Sequence, residues 1–327
     1  MPLFFRIYKM NFLKLTGNTT LNIVRQRTGA DIVHKQCLYG SGIGIAVLDS
    51  GIYIHPDFIQ GGNRIKAFRD FINHRELPYD DNGHGTHIAG IIAGNGCLSD
   101  GKYMGMAPKS HLIILKILDH KGNGTAETVC RAIEWTVKNQ ARFHIHIMNI
   151  SIGAKAGEKS SESRMLTEAV EYAWDHGLIV VAAAGNNGPD PGSVTSPGTS
   201  KKIITVGASP ENFYGLQQKS SCPFSGRGPT ENCVCKPEIL APGFRIYSCG
   251  NTRTRLYAVR SGTSMAAPVV SGGIALILNK YPSMTNKEVK HCLLKSARPL
   301  NYPKSYQGWG FFHLPECLDG RCDSHYS

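Results

Sequence analysis

The chain has 327 residues, 41% hydrophobic and 18% charged, which is enough apolar matter for a sizeable core and excludes wholesale disorder. It contains no run of about 18 apolar residues, so no membrane-spanning helix is expected. Lys and Arg exceed Asp and Glu by 36 − 24 = 12. The basic residues are dispersed, which argues for a solvated basic surface and against a nucleic-acid groove.

Residues 1–40 are weakly patterned, with 20–35 reading as a short helix that leads into the domain. From residue 43 the pattern sharpens. Ile43 to Leu48 is a branched apolar run bounded by glycine and Asp49, the mark of a buried strand, and His111 to Leu118, Ile145 to Ile150 and Leu178 to Ala184 repeat it. Between these runs Thr125 caps a helix reaching about Asn139, with Val129, Ile133 and Val137 on one face. Ser161 to His176 forms another, stopped by Gly177. Alternating strands and helices with short links predict an α/β fold of parallel βαβ units covered on both faces. Pro242 and Gly243 break the pattern before an irregular or antiparallel stretch. A helix then spans Thr263 to Lys280, and Thr285 with Glu288 forms a capping box for the last helix. Residues 299–327 read as an aromatic, turn-rich tail packed on the domain.

Ten cysteines are present. Met1 to Met10 shows no secretory pattern, so free thiols and a cytoplasmic setting are expected. The alternative is a zinc cluster of Cys222, Cys233, Cys235 and Cys249, although their spacing is not that of a standard site.

Four segments carry chemistry. Ala46 to Gly51 ends a strand on Asp49, at the carboxyl edge where α/β sites form. Asn82 to Gly90 sets His84 between glycines at a helix start; His87 reads as a packed helix residue rather than a metal ligand, since the helical His pair with an intervening Glu is absent. Ser261 to Pro268 puts Ser264 at a helix N-terminus, where free N–H groups and the positive dipole end suit a nucleophile whose reaction develops an oxyanion. Val181 to Gly188 ends a strand on the carboxamide of Asn186. Each segment alone also reads as a turn or a cap. Together they supply an acid, a base, an amide donor and a nucleophile.

In that order and wording the chain resembles the subtilisin-like serine proteases over roughly residues 30–315. His55-Pro56-Asp57, Ser151-Ile152-Gly153, Phe224 to Pro229, Ala241-Pro242-Gly243 and Gly308-Trp309-Gly310 are further landmarks. The lead-in Tyr79-Asp80-Asp81-Asn82 is similar to that of bacterial AprX-like members. The resemblance implies a subtilisin-like three-layer fold, with 1–30 a short N-terminal extension and 31–327 one peptidase domain including the tail. It implies a serine endopeptidase with Ser264 as nucleophile, His84 as general base, Asp49 as its partner and Asn186 in the oxyanion hole; the Asp–His–Ser order is the one known for subtilisin. A catalytically silent regulatory or partner-binding protein on the same fold is the alternative. Substrates are expected to be peptides or proteins, sandwiched as an added strand between Gly122-Asn123-Gly124 and Ser151-Ile152-Gly153. Ala182, Ala183 and Gly185 are expected to leave room for an apolar side chain before the cleaved bond. No cofactor is expected for the chemistry. Asp57 matches a position that ligates structural calcium in some members.

Overall fold

A computed structural model describes residues 19–153, 160–210, 222–231 and 234–319, together with the backbone of Phe5–Arg6. In chain order the strands are β1 (Phe5–Arg6), β2 (Gly44–Asp49), β3 (Ile65–Asp70), β4 (His111–Lys116), β5 (Asn123–Gly124), β6 (Ile145–Ile150), β7 (Ile179–Ala183), β8 (Ile204–Ala208), β9 (Ile239–Ala241), β10 (Ile246–Thr252) and β11 (Arg255–Arg260). The helices are α1 (Leu21–Thr28), α2 (Ala30–His34), α3 (Pro56–Ile59), α4 (His84–Ala93), α5 (Ala126–Lys138), α6 (Ser161–Asp175), α7 (Thr263–Lys280) and α8 (Asn286–Ser296), with two short turns of helix beyond.

Seven strands form one parallel sheet in the order β3-β4-β2-β6-β7-β8-β9. The chain places β3 and β4 on one side of β2 and β6 to β9 on the other, so the strand order changes direction there, and a crevice opens beyond the carboxyl ends of the strands at such a switch. Every residue of β2 and β7 is buried, as continuous apolar runs in a sheet covered on both faces must be. Helices α4 and α7 pack together on one face, and α5 and α6 pack together on the other. Helix α7 is apolar on all sides, and almost every residue from Thr263 to Leu278 is buried, which makes it the central helix of the core.

The local signals act as read. Thr125 accepts from Thr128 N at the start of α5, and the capping box of Thr285 and Glu288 is complete. The stretch after Pro242-Gly243 is antiparallel: β10 and β11 pair as a hairpin. The expected helix over 20–35 is two, α1 and α2, divided at Gly29, whose φ of 76° breaks the helical run. Leu21 and Val24 of α1 join the main core. No helix among the described residues is long and apolar enough to cross a membrane. Seven described cysteines are free thiols, whereas Cys292 is disulfide-bonded, a departure from the all-thiol expectation. The alternative, a gathering of Cys222, Cys235 and Cys249, does not form: Cys222 donates to Ser209 O, Cys235 to Lys304 O and Cys249 to Asp57. Cys233 lies outside the described residues.

Candidate active site

The sheet reversal sets the site. Asp49 is the last residue of β2, in register with Lys116 at the end of β4. Asn186 follows β7, Ser151 follows β6, and His84 and Ser264 open α4 and α7. Sequence-distant groups therefore meet at one edge because each sits where a strand stops or a helix starts.

His84 Nδ1 lies 2.8 Å from Asp49 Oδ1 and 2.9 Å from Oδ2, and Asp49 is wholly buried. A carboxylate only accepts, so the imidazole presents its Nδ1 hydrogen to Asp49 and leaves the Nε2 lone pair free. Ser50 N donates to Asp49 Oδ1 at 2.8 Å, fixing the carboxylate from its own backbone. Gly85, after the histidine, permits the approach of α4 to β2: a Cβ there would stand 2.3 Å from Gly51 O.

A second carboxylate holds this corner. Asp80 Oδ1 accepts from Ser50 Oγ, Asn82 N and Gly83 N, and Oδ2 accepts from Thr86 N and Thr86 Oγ1, at 2.6–3.1 Å. Ser50 Oγ in turn accepts from Gly85 N at 2.9 Å. Burial pushes the Asp80 carboxyl up, and the bonds from Thr86, Gly83 and Ser50 outweigh it, so its pKa lies below the ordinary value. Lys116, wholly buried, donates to Ser50 O at 2.6 Å, to Leu118 O at 2.8 Å and to Asp81 Oδ1 at 2.7 Å.

On the other side, Asn186 Oδ1 accepts from Thr263 N at 3.0 Å and from Thr263 Oγ1 at 3.1 Å. A backbone N–H can only donate, so the oxygen of the amide faces Thr263 and the amide's two N–H donors remain for a ligand. Gly185 N donates to Thr263 Oγ1 at 3.1 Å, locking the threonine that locks the asparagine. Ser264 Oγ donates to Ser151 O at 2.8 Å rather than to His84. Ser151 is itself tied to α7, since Asn149 Nδ2 donates to Ser151 Oγ and Ser271 Oγ donates to Asn149 Oδ1.

The remaining expected residues fall as follows. Asn123–Gly124 form β5, which pairs antiparallel with β1, Phe5 opposite Gly124 and Arg6 opposite Asn123; Gly122 precedes it in a left-handed turn. Ala182 and Ala183 end β7 and are buried. Gly153 and Gly185 both face Thr195: a Cβ on either would lie 2.3 or 2.4 Å from Thr195 Oγ1. That hydroxyl is buried without a hydrogen-bond partner. His87 is packed, its Nε2 shared between Ile246 O and Ala258 O, and burial holds its pKa well below the ordinary value. Asp57 is wholly buried, but donors surround it: Cys97 Sγ, Leu98 N, Cys249 Sγ and Tyr257 OH. Calcium takes six to eight oxygen ligands, and this set does not fit it.

Asp80, Ser50, Lys116, Thr263 and Thr195 were not assigned roles from sequence. Lys116 carried a signal, a lone charge ending an otherwise apolar strand. Thr195 carried none, because only the fold brings it between two glycines.

Residues 40–310 match the subtilase family. The chain therefore belongs to the subtilase family of serine proteases, and its seven-stranded parallel sheet with flanking helices is the subtilisin-like fold. It is 42% identical over 275 residues to the serine protease AprX of Bacillus subtilis, an alignment covering 79% of this chain and 62% of that protein. It is 34% identical to subtilisin Savinase of Lederbergia lenta, over 86% of this chain and 92% of that one. Among solved structures it is similar to the S41 psychrophilic protease, with a TM-score of 0.73 and 29% identity, covering 92% of this chain and all of that one.

Proposed function

We propose that this chain is a serine endopeptidase that cleaves peptide bonds through an acyl-enzyme on Ser264. The observation that carries the reading is the double contact of Asp49 with His84 Nδ1, which leaves Nε2 free as a base at the same sheet edge as Ser264. A serine hydroxyl is a weak nucleophile near neutrality and needs such a base. In the reaction Ser264 Oγ turns from Ser151 O to His84 Nε2 and gives up its proton as it attacks the carbonyl carbon. His84 then hands the proton to the leaving amine. Asp49 keeps the tautomer and stabilises the imidazolium. Water repeats the sequence on the acyl-enzyme, releasing the acid and restoring Ser264.

The oxyanion of each tetrahedral intermediate takes a hydrogen bond from Asn186 Nδ2 and one from Ser264 N at the start of α7. Because Thr263 holds the amide in advance, the donor costs no reorganisation when charge develops. Asn186→Ala is expected to lower kcat about 10²- to 10³-fold with little change in KM, the range known for the corresponding subtilisin residue. Steady-state kinetics on one peptide check this; a loss mainly in KM would remove Asn186 from the oxyanion role.

Substrates bind extended. The pairing of β5 with β1 supports an edge at Asn123–Gly124 that accepts an added antiparallel strand. Ser151 to Gly153 supplies the opposite edge. Gly153, Gly185 and Thr195 bound the space for the side chain before the cleaved bond, with the small Ala182 and Ala183 behind. Recognition through backbone leaves the sequence preference broad.

Fluorophosphonate labelling tests the reading. Purified protein is expected to take up one probe, mapped to Ser264, and Ser264→Ala is expected to take up none. A folded protein that does not label, or labels equally after Ser264→Ala, would instead be the catalytically silent form of this fold.

A further inference from the structure

The surroundings of Asp57 that exclude calcium suit a different ion. We infer that His55, Asp57, Cys249 and Cys97 form a structural binding site for zinc. The inference stands on the donor set and is independent of whether the chain cleaves peptides.

One ligand atom each from His55, Asp57 and Cys249 lies within 4.8 Å of the others, and all three residues are buried. His55 Nδ1 is 3.9 Å from Asp57 Oδ1, and Cys249 Sγ is 3.8 Å from Asp57 Oδ2. Ligand atoms about 2.0–2.3 Å from a tetrahedral zinc stand roughly 3.3–3.8 Å apart, so a small inward shift closes the site. Cys97 Sγ is 3.2 Å from Asp57 Oδ1 but more than 4.8 Å from at least one of the other ligand atoms, so its turn would have to close inward for it to supply the fourth ligand. It lies in the turn at Cys97–Ser99 and is exposed, which gives the ion a way in.

The tautomer of His55 is the one a metal needs. Its Nε2 lies 2.8 Å from Leu256 O, and a carbonyl only accepts, so Nε2 carries the hydrogen and Nδ1 the lone pair. A ligating histidine whose other nitrogen donates to a backbone carbonyl is the usual outer-shell arrangement at zinc. Nδ1 now accepts from Asp57 N at 3.1 Å, a contact the ion would replace. Tyr257 OH, 2.9 Å from Asp57 Oδ2, orients the carboxylate.

Charge and softness agree. Binding releases the two thiol protons to solvent, and two thiolates with one carboxylate leave a net charge of about −1 around the dication. Arg64, which donates to Asp57 O and to Pro108 O, is the adjacent countercharge. Thiolate and imidazole ligands select zinc over calcium or magnesium. The bound ion would join residues 55–57, the turn at Cys97–Ser99 and the β10–β11 hairpin, the element that leads into Ser264.

The test uses reduced, chelator-stripped protein carrying Ser264→Ala to prevent self-digestion, titrated with cobalt(II) as a spectroscopic stand-in for zinc. One equivalent should give a thiolate-to-cobalt charge-transfer band and tetrahedral visible bands, both displaced by zinc. Cys249→Ser should abolish the charge-transfer intensity, or reduce it to the share of one thiolate, while Cys37→Ser, an exposed cysteine elsewhere, should leave it unchanged. Zinc should raise Tm by several degrees and calcium should not. If Cys249→Ser does not fold, Cys97→Ser, with its exposed side chain, carries the same readout. A cobalt complex without thiolate bands, bands unchanged by either substitution, or stabilisation by calcium that survives Cys249→Ser would overturn the site.

Discussion

His84→Ala is expected to lower kcat about 10⁶-fold, and Asp49→Ala on the order of 10⁴-fold, with the double substitution no worse than His84→Ala alone. These magnitudes are those known for subtilisin, a member of the same family. Their ordering follows from the geometry of this chain. With His84 Nε2 as the proposed base, its removal leaves the Ser264 proton nowhere to go, and the hydroxyl stays with Ser151 O at 2.8 Å. Asp49 touches the proposed base only through the imidazole, holding Nδ1 from two oxygens at 2.8 and 2.9 Å. Once the imidazole is gone, Asp49 has nothing left to orient.

Single-turnover and steady-state kinetics on one peptide separate the cases. KM should change little in all three variants, because neither side chain lies on the strand edges proposed to hold substrate. If the double substitution multiplied the two single losses, the groups would act independently and the shared role would be wrong. The residual rate should stand well above that of water, since the proposed oxyanion donors, Asn186 and the start of α7, remain in place.

The elements that were legible in the sequence are those whose pattern is local. Ile179–Ala183 is an unbroken apolar run because both sheet faces are covered, and α5 and α8 announce themselves by threonine caps that bond three residues ahead. β3 was not legible. It is an edge strand with its middle residues half-exposed, so Ile65–Asp70 mixes charge with apolar residues and no buried run appears. β9 has only three residues and a single sheet neighbour, β8, too short to show a period. The site divides the same way. Asp49, His84, Asn186 and Ser264 sit at strand ends and helix starts, which glycines and small residues mark in sequence. The fate of Asp57 depended on Cys249, 192 residues further along, and no local pattern reports such a meeting. Thr195 likewise acquires its place only when the ends of β6 and β7 lie side by side.

Asp80→Ala should be the most damaging substitution outside the proposed catalytic groups, both to stability and to rate. Its carboxylate accepts five hydrogen bonds, from Ser50, Asn82, Gly83 and twice from Thr86. Removing it leaves those donors, all buried but the half-buried Asn82 N, without an acceptor, and even one unsatisfied buried group costs about 1–3 kcal/mol. Arg260 depends on it as well: burial lowers the pKa of that guanidinium, and the charges of Asp80 and Asp49 oppose the shift. A loss on the order of 3 kcal/mol or more is therefore expected in urea unfolding of the Ser264→Ala protein at neutral pH. The acid limb checks the cause. A carboxyl whose folded pKa lies below its unfolded value of about 3.9 contributes stability that is full above that value and fades as pH falls through the folded pKa. Asp80→Asn should lose this part of the acid dependence, so the gap between it and the parent should be wide at neutral pH and narrow below about pH 4. A gap that stayed constant with pH would mean that the carboxylate's charge contributes nothing and that only packing was lost. Because Ser50 Oγ joins Asp80 to Gly85 N, active Asp80→Asn protein should also show a lower kcat, as the start of α4 loosens and His84 strays from Asp49.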